Sequence, residues 1–221
     1  MVIAIDGPAG SGKSSTAKLV ARKLGIGHLD TGAMYRAITL KCLRKNISCN
    51  DTGSLAACVR ETSITFTGTP PSMQVWMDGE DVSEAIRSDA VTKNVSDYCK
   101  PSVVRNELVS QQRAIGTATS VVCEGRDIGT VVFPGAELKI YMVASAKERA
   151  RRRQKDFAKM GEKKSLEELI ADITARDEKD SNRELSPLCK AHDAVELDTT
   201  DMTLEEQVDY IVGTAKERNL V

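Results

Sequence analysis

The chain reads as an α/β fold, a five-stranded parallel core sheet with helices on both faces and a small β-containing insert. Three observations predict it. Five short apolar runs alternate with helical stretches, and crossovers of that kind place the strands parallel in one sheet. A glycine-rich motif, Gly7-Pro8-Ala9-Gly10-Ser11-Gly12-Lys13-Ser14, lies between the first run and the first helix. One β-rich segment interrupts the alternation and marks the insert.

The elements follow in order. Val2–Asp6 is apolar and short, as a buried parallel strand should be. The motif after it fits G-x-x-x-x-G-K-[ST] without mismatch. Glycines there admit unusual backbone angles, so consecutive N–H groups converge on a phosphate at a helix N-terminus. Gly7 to Gly12, with Lys13, Ser14 and Ser15, is therefore the candidate nucleotide-phosphate loop. Lys13 is expected to reach the β- and γ-phosphates and the Ser14 hydroxyl to ligate Mg²⁺. The helix from Ser14 ends at Leu24, with Gly25 as its C-cap. Gly27–Leu29 is the second strand, and Asp30-Thr31 precedes a helix from Ala33.

The insert comes next. Ser63–Gly68 and Gln74–Gly79 form a hairpin across Gly68-Thr69-Pro70-Pro71-Ser72, on the rim of the sheet. Trp76 is expected in its small core. Ser120–Cys123 is the third strand, after a helix closed by Gly116. Leu138–Val143 is the fourth, and Cys123 in the third packs as a small hydrophobe. Capping boxes at Ser145-x-x-Glu148, Ser165-x-x-Glu168 and Thr203-x-x-Glu206 start the remaining helices. Gly161 closes the first of these, and Ala194–Leu197 is the fifth strand.

Composition limits the function. A net charge of −1 over 221 residues gives no global pull toward nucleic acid or anionic membrane. No apolar run approaches bilayer length, and the first strand begins at Val2, without room for a signal peptide. The six cysteines are scattered without a C-x-x-C pair, which points away from a metal or disulfide framework and toward a reducing cytosol. The guanine-reading N-K-x-D and switch D-x-x-G motifs of GTPases are lacking.

Ligands of such sheets bind beyond the carboxyl ends of the strands. Two charged tracts lie there, Asp30–Arg36 and Glu124–Thr130. Asp30 and Thr31 serve equally as a helix cap, and Arg36 as a solvated charge. The adjacent Arg126 and Asp127 suit anion binding plus a polar contact. The basic run Lys147, Arg149, Arg151, Arg152, Arg153, Lys155, Lys159, Lys163 and Lys164 is diluted by Glu148, Asp156 and Glu162. A lid role fits one or two of its arginines, a solvated face the others, and nucleic acid comes last. Arg176, Asp180 and Arg183 share a face if their helix persists, as an ion-pair ladder or as a surface that closes on a small polar substrate.

The tracts GPAGSGKSS, LDTGAMYR, DVSEAIR, EGRDIGTVVFP and RDEKDSNRELSPL together resemble the bacterial cytidylate kinase family, over essentially the whole chain. The resemblance implies a P-loop nucleoside-monophosphate-kinase fold of three layers. Its layout is a core (about 1–60, 102–147 and 184–221), a monophosphate-binding insert (about 61–101) and a short lid (about 148–165). It implies ATP-dependent phosphorylation of CMP and dCMP, Mg²⁺, and a monomeric cytoplasmic enzyme acting on neither nucleic acid nor membrane. Carried onto this sequence, Arg36 and Arg126 clamp the CMP phosphate, while Ser96, Arg105 and Asp127 read the cytosine edge. Thr31, Arg176, Asp180 and Arg183 lie near the sugar and phosphates, and Tyr35 lines the substrate site. Lys13, Arg126, Asp127, Arg176 and Arg183 form the catalytic set. Some members carry Ser where Thr31 stands and Asp where Glu124 stands.

Overall fold

The structure, a computed structural model, describes residues 1–69, 72–159, 161 and 163–221. Five strands form the main sheet: β1 (Val2–Asp6), β2 (Gly27–Asp30), β6 (Val121–Gly125), β7 (Leu138–Val143) and β8 (Val195–Asp198). Their order is β2-β6-β1-β7-β8, all parallel. Every residue of β1 and β6 is buried, because helices cover both faces. Alternation along β1 divides the core. Ile3 and Ile5 pack with Ala17 and Val20 of α1 (Lys13–Leu24) and Ile211 of α8 (Leu204–Glu217). Ala4 faces the other way, onto Met34 and Ile38 of α2 (Thr31–Arg44), Leu55 of α3 (Thr52–Arg60) and Leu108 of α5 (Ser102–Ala118). Cys123 is fully buried in that second layer, where burial pushes its thiol well above the usual range.

The expected hairpin is β3 (Ile64–Thr67) against β4 (Gln74–Met77), joined by a two-residue third strand, β5 (Glu80–Asp81). Pro70 and Pro71 of its loop lie outside the described residues. Val75 and Met77 pack with Val82 and Ile86 onto Ala33, Ala37 and Leu40 of α2, so the insert is built on that helix. Trp76 does not fill this core. Period-two alternation turns it to the opposite face, where its indole Nε1 donates to Thr67 Oγ1 at 2.8 Å. A 3₁₀ turn at Ala85–Arg87 leads into α4 (Asp89–Tyr98), which rests on α2.

Two helix-end expectations are corrected. α5 runs through Gly116 to Ala118. A Cβ at Gly116 would lie 2.4 Å from Phe133 Cζ, so this glycine lets an aromatic ring meet the helix and caps nothing. At Ser145 only half the box forms: its hydroxyl accepts from Glu148 N, while the Glu148 carboxylate accepts from Arg152 Nε. The boxes of α7 (Leu166–Ser181) and α8 are complete. Gly25 caps α1 at φ 66° as expected. After α6 (Ala146–Lys159), Gly161 has φ 79° and donates to Ala158 O. Glu162 lies outside the described residues. No helix among those described is long and apolar enough to cross a membrane.

Candidate active site

The phosphate loop sits between β1 and α1 at the carboxyl edge of the sheet. Two constraints fix its shape. Gly7 has φ 146°, and a Cβ there would lie 2.1 Å from Met142 O on the neighbouring strand. Gly12 caps α1 at φ 99°, which turns the chain so that Lys13 begins the helix. Lys13 is buried beneath the loop, with Nζ donating to Pro8 O at 2.6 Å and to Ser11 Oγ at 3.3 Å. Burial, and then the nearby Arg126 charge, depress its ammonium well below the ordinary range. Such a cation gains most when a polyanion arrives. Ser14 and Ser15 stand exposed at the mouth of the loop.

Ser14 Oγ donates to Glu124 Oε2 at 2.6 Å, and the other Glu124 oxygen meets His28 Nε2 at 3.0 Å. Burial opposes ionisation of Glu124, but the His28 contact, the Ser14 hydroxyl and Lys13 outweigh it and hold the carboxyl below the usual range. Among the described residues no cluster of three His, Cys, Asp or Glu side chains could hold a metal alone. A hydroxyl beside a buried carboxylate fits Mg²⁺, which keeps waters and takes substrate phosphates as its other ligands.

The loop is braced from behind. Arg149 Nη1 donates to Ala9 O at 3.0 Å and pairs with Asp177 Oδ2. Arg152 Nη1 donates to Ser11 O at 3.2 Å and to Thr199 Oγ1 at 3.1 Å, and Thr199 Oγ1 also donates to Ser11 O at 2.9 Å. Two arginines of the basic run thus belong to the loop, while Arg151 is exposed and Arg153 lies over the Phe157 ring.

Opposite the loop, arginines from separate elements surround one acid. Asp180, at 1% exposure, accepts from Arg126 Nε at 2.9 Å and from Arg183, lies 3.9 Å from Arg176 Nε, and takes the Ser96 hydroxyl at 3.5 Å. α7 ends at Ser181, so Arg183 is not on its face; the chain turns beyond the helix and brings the guanidinium back to Asp180. Burial would raise the Asp180 carboxyl, and the charges of Arg126, Arg183 and Arg176 overcome it and lower it. One carboxylate does not balance the cluster. Burial, then Arg126 and Arg36, push the Arg176 guanidinium down to about 9. Burial also takes Arg36 down to about 10, while its Nη1 is held by Ile86 O and Thr92 Oγ1 of the insert.

Asp127 and Arg105 pair beside this cluster, both nearly buried. Arg105 also lies over the Tyr35 ring, 5.5 Å from its centroid. Four polar atoms of these groups are buried without a hydrogen-bond partner: Tyr35 Oη, Arg105 Nε, Arg176 Nε and Arg183 Nε. Buried polar atoms without partners cost free energy, and acceptors from a ligand would satisfy the three guanidinium N–H groups among them. Thr31 is buried, with its hydroxyl donating to Glu124 O at 2.6 Å.

The sequence did not signal His28, Asp6, Asp177 or Thr199 as part of the site, and within the basic run it did not single out Arg149 and Arg152. Asp6 ends β1 and accepts from Ile128 N at 2.8 Å and Gly129 N at 2.7 Å. It thereby anchors the π-helical turn Ile128–Val132 that follows Asp127. Its signal was a charge ending an otherwise apolar strand. Thr199 has the weaker signal of a polar residue just after the last strand.

The geometry can be set beside known proteins. A family model described as cytidylate kinase matches residues 3–217. The cytidylate kinase of Clostridioides difficile (strain 630) is 47% identical over 213 residues, 96% of this chain and 97% of that protein. That of Bacillus subtilis (strain 168) is 45% identical over 217 residues, 98% and 97%. A crystal structure of an uncharacterized protein from Eubacterium ventriosum ATCC 27560 superposes with a TM-score of 0.53 at 13% identity, covering 98% of each chain, a likeness of fold alone. With a family match across nearly its whole length and relatives this similar end to end, the chain belongs to the cytidylate kinase family.

Proposed function

We propose that this chain transfers the γ-phosphoryl group of ATP to CMP or dCMP, giving ADP and CDP or dCDP. The observation that carries the reading is the juxtaposition of two polyanion sites. Lys13 lies under the phosphate loop, Arg126, Arg176 and Arg183 surround Asp180, and Arg36 is close enough to Arg126 and Arg176 to share their repulsion. Burial and mutual repulsion depress Lys13, Arg36 and Arg176, which supports a pocket built for phosphate charge rather than for an empty interior.

The chemistry follows from charge. An oxygen of the CMP phosphate attacks the γ-phosphorus in line, and the bond to the β,γ-bridging oxygen breaks to leave ADP. The nucleophile is already anionic, so no strong general base is required. The residues position two polyanions and offset charge on the transferring group. Lys13 serves the donor phosphates, Arg36 and Arg126 the acceptor phosphate, and Arg176 and Arg183 the space between. Ser14 would hold Mg²⁺, which when bound neutralises charge on the donor phosphates. The insert (about 61–101) and lid (about 148–165) would close over the core to exclude water, so that ATP is not hydrolysed. We place the enzyme in the cytoplasm as a monomer.

Base choice rests on Asp127 and Arg105. An ionised carboxylate only accepts and a guanidinium only donates. Asp127 can accept from the cytosine amino group while Arg105 donates to N3 or O2, with Ser96 adapting. Uracil reverses both edges, and each mispaired buried group costs about 1–3 kcal/mol. A coupled assay of ADP release across CMP, dCMP, UMP and AMP tests the function. The expected result is kcat/KM for CMP and dCMP above UMP by about two orders of magnitude. UMP used as well as CMP would overturn the base-reading assignment, and turnover of none of the four would overturn the function.

A further inference from the structure

We propose that His28 is a positioning residue for the metal-binding end of the site, acting through Glu124 on Ser14. The inference rests on the reading that Ser14 ligates Mg²⁺. β2 and β6 pair in parallel with His28 opposite Val122 and Asp30 opposite Glu124. The imidazole reaches along this pair and sets Nε2 3.0 Å from Glu124 Oε1, with the two side chains 2% and 4% exposed. The second Glu124 oxygen accepts the Ser14 hydroxyl at 2.6 Å. The carboxylate is thereby held at both ends, one by a ring N–H and one by the candidate metal ligand. An ionised carboxylate accepts only, so Nε2 carries the proton.

A purely structural role does not explain this residue. His28 lies in a strand covered on both faces, and its Nδ1 is buried without a partner. An apolar side chain would fill the place without leaving that nitrogen desolvated. What the histidine adds is a single N–H aimed at Glu124. Held there, Glu124 draws the Ser14 proton to itself and leaves the hydroxyl lone pairs directed to the mouth of the phosphate loop. Partners that orient a ligand in this way commonly change metal affinity or activity by about 10- to 100-fold when removed. The loop itself and Lys13 do not depend on His28, so nucleotide binding without metal should not change.

Calorimetric titration of ADP, once with Mg²⁺ and once in EDTA, tests the inference in wild type, H28F, H28Q, H28N and S14A. The reported quantity is the ratio of the two affinities. H28F keeps the ring volume without the N–H and should reduce that ratio about tenfold, at unchanged affinity in EDTA. H28Q places an amide N–H near the same point and should restore most of it. In turnover, H28F should lower kcat with little change in KM for CMP. A folded H28F with the wild-type ratio overturns the inference, as does equal impairment of H28F and H28Q, which would make the effect one of packing. If H28F fails to fold, H28N, whose amide is too short to reach, replaces it against H28Q; loss confined to H28N supports the inference and equal ratios overturn it. A wild-type ratio near one, or an S14A ratio equal to wild type, refutes instead the Ser14 reading beneath it.

Discussion

Replacing Asp180 by Asn removes the one negative charge among Arg126, Arg176 and Arg183 while keeping the side chain's size. Asp180 is 1% exposed and its partners lie at 2.9 and 3.9 Å, with Arg183 closer still. At an effective dielectric near 20, the pairs at 3.9 and 2.9 Å have gross attractions of about 4 and about 6 kcal/mol, most of it cancelled by desolvation. The measured cost of stripping one partner from a buried pair is about 3–5 kcal/mol. For a chain of this size each kcal/mol moves Tm by about 2–4 °C, so D180N should melt about 6–20 °C below wild type in anion-free buffer. If these arginines form a phosphate site, sulfate or inorganic phosphate supplies the missing charge and should stabilise D180N more than wild type, in thermal melts across an anion series. A D180N melting within about 2 °C of wild type, or equal anion stabilisation of both proteins, would refute the reasoning.

Three further outcomes are expected. K13A should keep its fold, since burial already disfavours the Lys13 charge, and should lose phosphoryl transfer by orders of magnitude; near-normal turnover in a folded mutant, by coupled assay, rejects the donor-site assignment. R152M removes the donor to Ser11 O and to Thr199. At about 1.5–3 kcal/mol for hydrogen bonds from a charged group, KM for ATP should rise about 10- to 100-fold with KM for CMP little changed. Burial raises the Asp6 carboxyl from 3.8 to about 6, against the backbone N–H groups of Gly129 and Ile128. The folded value lies above the unfolded one, so Asp6 favours the fold most when protonated, and that advantage is lost as pH rises from about 4 to about 6. The unfolding free energy of wild type relative to D6N, from urea titrations, should therefore fall across this window by up to about 3 kcal/mol at 1.36 kcal/mol per pKa unit, and a flat difference contradicts the assignment.

The sequence carried the sheet because each strand is an apolar run beside a polar turn, and Val2–Asp6 and Leu138–Val143 are strands at the expected bounds. It carried the phosphate loop because that geometry is local, made by glycines adjacent in the chain. What it hid depends on distant contacts. Gly116 looked like a cap because nothing nearby in sequence announces the Phe133 ring. Trp76 was misplaced because a four-residue strand leaves its inward face undecided until Val75 and Met77 find α2. Arg183 reaches Asp180 through a turn that a helical projection does not contain. His28 and Thr199 gave little signal because their partners lie 96 and 188 residues away.

The Gly7 contact bears on how this chain could decay. A side chain at Gly7 would strike Met142 O at 2.1 Å, and one at Gly125 would strike Ile128 Cδ1 at 2.6 Å and Thr31 Oγ1 at 2.7 Å. Neither clash involves a ligand. A descendant released from selection for catalysis but still required to fold would keep both glycines, while Lys13, whose buried charge the fold does not favour, would be free to drift. Retention of Gly7 in such a descendant would therefore record the architecture of the sheet edge, and a pseudoenzyme in this lineage would be diagnosed by its lysine rather than by its glycines.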